Sequence, residues 1–211
     1  MVHSPDLSDY AAKMRRLARS GVDLEVDARF VDMMAPRGAT ILDIGCGIGS
    51  AVAALRTAGH RAFGIDPTPE VLQVATDLFD AAWFRQLAAT DLSPGTMADH
   101  RLPKSFDLIL MSGNVPAFLT RAELSRAFAA TDELLAPGGH LVVGTTTHRR
   151  GGPADLDHCA SDTSLRLERR YGNWHLGAFD SDSPWSVSIY SAPGSRRTSE
   201  GPEGIHVLPP E

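Results

Sequence analysis

The 211-residue sequence predicts an α/β domain, a mostly parallel sheet with helices on both faces. Three observations predict it. Short apolar runs alternate with amphipathic stretches between residues 40 and 145. The run Phe106-Asp107-Leu108-Ile109-Leu110-Met111 is almost continuously apolar, as a parallel strand covered on both faces requires. The first run ends in the alternating-glycine turn Gly45-Cys46-Gly47-Ile48-Gly49, which opens an alanine-rich helix.

The elements follow in order. Leu7, Tyr10, Met14 and Leu17 recur at helical spacing, and Gly21 breaks the pattern. A second amphipathic helix covers 23–34 and stops before Pro36 and Gly38. Residues 1–35 are thus expected to be helical. The first strand is 40–44, and the helix after the glycine turn is 50–58. Gly59 leads into a second strand at 61–65, and Thr68-Pro69-Glu70 starts a helix over 71–79. A third strand is read at 83–88, and Ser93-Pro94-Gly95 reads as turn chemistry only. The fourth strand, 106–111, precedes a helix at 121–135. Pro137-Gly138-Gly139 then turns the chain into a fifth strand at 140–145. This alternation implies right-handed crossovers. Beyond it come a short helix at 154–161 and two strands at 165–171 and 186–191. A segment rich in Gly, Asn, Asp and Ser joins those strands as a long hairpin loop. Residues 193–211 lack apolar periodicity and read as a disordered tail, leaving 36–192 as the folded domain.

Composition bounds the partners. A formal charge of −6 argues against a nucleic-acid binder with a broad basic face. Two cysteines are too few for a disulfide framework. No signal peptide and no long apolar span are evident, which places the expected protein in the cytoplasm with no membrane partner. No His, Cys and carboxylate set has metal-ligand spacing, so no metal is expected.

The glycine turn narrows the ligand. A dinucleotide fingerprint is G-x-G-x-x-G and faces a pyrophosphate. Here the spacing is G-x-G-x-G, and Asp43 lies two residues before Gly45. A carboxylate there is poorly placed for a pyrophosphate and suits a ligand carrying an ammonium and a sulfonium. Asp66, at the end of the second strand, is placed to accept hydrogen bonds from ribose hydroxyls. The stretch Leu42-Asp43-Ile44-Gly45-Cys46-Gly47-Ile48-Gly49-Ser50 resembles motif I of the class I S-adenosylmethionine (SAM)-dependent methyltransferases. Gly64-Ile65-Asp66-Pro67-Thr68 looks like the second motif of that family, and Leu134-Leu135-Ala136-Pro137-Gly138-Gly139 like its post-helix motif.

The resemblance implies a Rossmann-like seven-stranded sheet of order 3-2-1-4-5-7-6 with the last strand antiparallel. It implies SAM as cofactor, with Gly45, Cys46, Gly47 and Gly49 near its methionine part and Asp43 on its ammonium. Asp66 would hold the ribose and Pro67 would lie near the adenine. Thr90, Asp91 and Leu92 would surround the adenine, Asp91 receiving its amine. Ser112 would border the cofactor, and Arg29, on the covering helix, would reach the SAM carboxylate. Tyr171 and Trp174 match a Tyr-Gly-x-Trp found near the terminal hairpin of small-molecule members and are the expected acceptor side. Asn114, His148 and His175 are the candidate catalytic groups. The Asn-Pro-Pro-Tyr of enzymes acting on DNA bases or glutamine amides is absent after the fourth strand. The expected reaction is in-line methyl transfer from SAM to a small molecule, by a monomer or homodimer. Two alternatives use the same residues: a non-catalytic SAM-binding protein, and an NAD-dependent oxidoreductase on a similar core.

Overall fold

The computed structural model describes residues 21–194 together with Arg16. The expected first helix therefore lies outside the described residues except at Arg16, which is helical. In chain order the elements are α1 (Val26–Met34), β1 (Thr40–Ile44), α2 (Ser50–Thr57), β2 (Arg61–Asp66), α3 (Pro69–Leu78), β3 (Phe84–Gln86), α4 (Pro94–Asp99), β4 (Phe106–Met111), α5 (Val115–Phe118), α6 (Arg121–Leu134), β5 (Leu135–Thr146), α7 (Pro153–Ser161), β6 (Arg166–Tyr171) and β7 (Trp185–Ser191). Single 3₁₀ turns, Ala81–Trp83 and Ala89–Asp91, flank β3.

The seven strands form one sheet in the order β3-β2-β1-β4-β5-β7-β6. The four pairings that join β3, β2, β1, β4 and β5 are parallel, and β7 runs antiparallel to both β5 and β6. The order and the reversed last strand are those the resemblance implies.

Strand periodicity divides the core into two layers. Ile41, Leu108, Leu110 and Val142 face α1 and α2, packing on Ala28, Val31, Val52 and Leu55. Their neighbours Leu42, Ile44, Ile109, Met111, Leu141 and Val143 face the opposite way, onto Leu124 and Phe128 of α6 and Leu156 of α7. Both layers leave the carboxyl ends of β1, β2, β4 and β5 at one rim, where ligands bind in open α/β sheets.

Three local readings change. Ser93-Pro94-Gly95 starts a helix, α4, because the Ser93 side chain accepts from the Thr96 N–H and Pro94 stands at the first helical position. Pro137-Gly138-Gly139 does not separate helix from strand. Pairing with β4 already begins at Leu135 and jumps register before His140, so the three residues form an irregularity inside β5. Residues 115–118 form a single turn of helix, which no apolar period announced. Past residue 192, Pro193 O still accepts from Gly138 N–H at 3.0 Å. The rest of the expected tail, from residue 195, lies outside the described residues.

Candidate active site

The rim begins with the β1–α2 turn. The backbone N–H groups of Gly45 and Cys46 both donate to Ile65 O, at 2.8 and 3.0 Å, which ties the turn to the end of β2. Gly45, Gly47 and Gly49 all have positive φ, at 72°, 55° and 81°. They differ in what surrounds them. A Cβ on Gly45 would strike Val115, and one on Gly49 would strike Phe84. A Cβ on Gly47 would meet nothing within 4 Å. Gly47 thus presents bare backbone to open space at the rim, as does Gly113 after β4. Gly49 also caps α2 in a left-handed conformation without a side-chain bond. The first N–H groups of α2 therefore remain available, and they favour a carboxylate.

Carboxylates gather around this bare backbone. Asp66 is 8% exposed. Its Oδ2 accepts from Gly47 N–H at 3.2 Å and its Oδ1 from Thr68 N–H at 2.8 Å. A carboxylate has about four acceptor positions, so two remain for hydroxyls of a ligand. Asp43 is 2% exposed and its Oδ1 has no hydrogen-bond partner. Burial, then the charges of Asp27 and Asp66, push its carboxyl far above the usual carboxylate range. Asp27, on α1, is raised too, chiefly by burial, although it shares a hydrogen bond with Ser112. Burial likewise pushes the Cys46 thiol up, and Cys46 serves by packing against Gly64. Three carboxylates facing one cleft, one of them orphaned, form a receptor for a cation.

The sequence reading missed Asp27 and chose Arg29 on the same helix. The structure points Arg29 to solvent, where its guanidinium bonds Asp23 at 3.0 Å and holds the Asp23 carboxyl down at about 2. The helical spacing accounts for the two placements. Asp27 lies three and four residues before Phe30 and Val31, on the buried face, whereas Arg29 faces away.

The remaining expected residues divide. Thr90, Asp91 and Leu92 sit together after β3, with Leu92 buried, Asp91 exposed and the Thr90 hydroxyl 3.3 Å from Asp91 Oδ1. Pro67 is exposed at the end of β2, its carbonyl receiving Gln86 Nε2 at 3.4 Å. Trp174 and Tyr171 pack edge-on against Phe30 at 5.5 and 6.1 Å, and Trp174 lies over Gly144. They brace α1 against the end of the sheet. His148 and His175 are both exposed, on different loops, and His175 lies near Asp23. Asn114 adopts a left-handed backbone, and its Oδ1 accepts from Thr146 N–H at 2.8 Å, clasping the β4 loop to β5.

Beside Asn114 opens a cavity of about 720 Å³ lined by Asn114, Ala117, Phe118, Thr146, Arg149 and Arg150. It adjoins the glycine turn through Val115, whose side chain rests on Gly45.

SAM fits these residues by their own chemistry. Its cationic methionine end matches the orphaned Asp43 and Asp27, and its carboxylate matches the open N-terminus of α2. The bare backbone at Gly47 leaves room for close approach. A sheet of this order with an anionic cleft at its β1 end defines a Rossmann-like protein for a cationic nucleoside.

The comparisons with known proteins give the same class. A methyltransferase-domain family profile matches residues 42–141. A TehB-like SAM-dependent methyltransferase from Corynebacterium glutamicum is 32% identical over 90% of this chain and 100% of its own, with a TM-score of 0.80. The CcbJ methyltransferase of Streptomyces caelestis is 18% identical over 81% of this chain and 89% of its own, with a TM-score of 0.69. The N-methyltransferase NodS of Bradyrhizobium japonicum, solved with S-adenosylhomocysteine (SAH), is 18% identical over 80% of this chain and 85% of its own, with a TM-score of 0.60. The search of curated proteins gave no match. The chain belongs to the SAM-dependent methyltransferases and is an enzyme of that class, with SAM as its cofactor. Among the described residues, no helix is long and apolar enough to cross a membrane.

Proposed function

We propose that the acceptor is a small molecule, and that it enters the cavity beside Asn114 while SAM lies across the ends of β1, β2 and β4. The observation that carries this reading is the cavity itself. Its volume of about 720 Å³ is that of a small-ligand pocket, and it adjoins the cleft at Val115. SAM, when bound, supplies an activated methyl group on a sulfonium. The chain's own part is alignment. Asp43 and Asp27 hold the ammonium, Asp66 the ribose and Thr90, Asp91 and Leu92 the adenine, with Gly45, Cys46, Gly47, Gly49, Pro67 and Ser112 forming the walls. Orientation of this kind supplies roughly 7–11 kcal/mol of a bimolecular barrier.

The three candidate catalytic groups are not poised to take a proton: Asn114 is engaged in the β4–β5 clasp, and His148 and His175 are exposed on separate loops. This favours acceptors whose nucleophile is unprotonated near neutral pH. The test separates a cell extract into an ultrafiltrate and a macromolecular fraction, each incubated with methyl-labelled SAM and the protein. Label is expected in the ultrafiltrate. Label confined to protein or nucleic acid would overturn the reading.

A further inference from the structure

We infer that the acceptor carries an anionic group on an apolar body, and that Arg149 binds the anion. This inference rests on the small-molecule reading and names its substrate class. The cavity's charge is opposite to that of the adjoining cleft. The cleft gathers Asp27, Asp43 and Asp66, whereas the six residues lining the cavity include two arginines and no carboxylate. The chain as a whole is acidic, at −6, so this cationic corner is a local feature.

The two arginines have different roles. Arg150 donates to Ala117 O at 3.0 Å, tying its loop to α5 across the cavity. The same loop is seated by Gly151, where any Cβ would strike the Pro116 carbonyl, and by Gly151 N–H donating to Asp155 Oδ2 at 2.9 Å. Arg149 stands on this fixed loop, lines the cavity and has no side-chain partner among the described residues. A guanidinium without a carboxylate partner is suited to a bidentate bond with a carboxylate, phosphate or sulfonate.

Thr146 also lines the cavity, and its hydroxyl is buried without a hydrogen-bond partner. A buried hydroxyl left unpaired is costly, and a polar atom of the acceptor would satisfy it. Phe118, a third lining residue, is 74% exposed. An isolated phenyl ring there gains by covering an apolar body. Anion on Arg149, apolar body on Phe118 and a polar atom at Thr146 together describe an organic acid as the acceptor.

The test fractionates the ultrafiltrate on an anion exchanger near neutral pH before the enzyme is added. Retained acids and unretained compounds are then offered separately with methyl-labelled SAM. Label should enter the retained acids. Arg149→Gln should lower that transfer at least tenfold while SAH affinity and melting temperature stay as in the parent. Label only in unretained compounds, or parental transfer to the acids by Arg149→Gln, would overturn the inference and leave the small-molecule reading intact. Label in neither fraction, with transfer confined to macromolecules, would overturn both.

Discussion

Asp43 is a carboxylate that the fold buries before it has a partner. Nothing in the described chain hydrogen-bonds its Oδ1, and two neighbouring carboxylates add to its cost. Such a group destabilises the free protein, and a cation beside it would relieve the cost. Two effects of opposite sign follow for Asp43→Asn. The free variant should melt above the parent near neutral pH, by about 2–4 °C for each kcal/mol of relieved burial. SAM affinity should fall at least tenfold, because hydrogen bonds to charged groups contribute about 1.5–3 kcal/mol. Scanning calorimetry and ligand titration check the pair. A variant that melts lower and binds SAM like the parent would remove Asp43 from the site.

At the scale of elements, α1 is the helix that brings a third carboxylate to the rim. The helix carries Asp27 into the cleft and is braced there by Phe30, which meets Tyr171 and Trp174 edge-on. These two aromatic residues, expected from the sequence on the acceptor side, pack against this helix. Phe30→Ala should therefore cost about 3–5 kcal/mol of stability and weaken SAH binding as α1 loosens. Hydrogen exchange over residues 26–34 should rise with it. Arg29→Ala, on the solvent face of the same helix, should change stability by no more than about 0.5 kcal/mol and leave SAH affinity alone. Equal effects from the two substitutions would refute the assignment of the helix faces.

Across the whole molecule, the raised carboxyl of Asp43 links folding and binding to pH. The folded chain keeps this proton above pH 3.8, where an unfolded aspartate gives it up. Its contribution to stability therefore falls as pH climbs from 3.8 to the raised folded value, and is constant beyond it. Asp23 and Glu123 have lowered values and titrate with the opposite sign. The clean measurement is the difference between parent and Asp43→Asn stability. That difference should be smallest near pH 4 and should widen, in the variant's favour, toward neutrality. SAH carries the same ammonium, so its binding should expel the Asp43 proton. Affinity of the parent for SAH should then rise with pH up to the raised folded value, and that of Asp43→Asn should not. Calorimetry in buffers of different ionisation enthalpy would count the proton.

The alternation of strands and helices, the glycine turn and the two acids that precede and follow it, Asp43 and Asp66, are legible in the chain before it folds. These are local features. Hydrophobic period, positive-φ glycines and residues at strand ends are fixed by neighbours a few positions away. The helix at Pro94 was legible in the same local terms, since Ser93 and Pro94 are cap and first-turn residues, but its short apolar content hid it. Only the tertiary structure decided the rest. Which face of α1 meets the sheet depends on Phe30 finding Tyr171 and Trp174 more than a hundred positions away. The clasp of Asn114 on Thr146, and the corner where Thr146, Phe118 and Arg149 meet, join segments that share no local pattern. A cofactor that binds a single βαβ turn leaves its signature in consecutive residues. An acceptor held between loops leaves none, because its site comes together only when the sheet places the ends of β4 and β5 side by side.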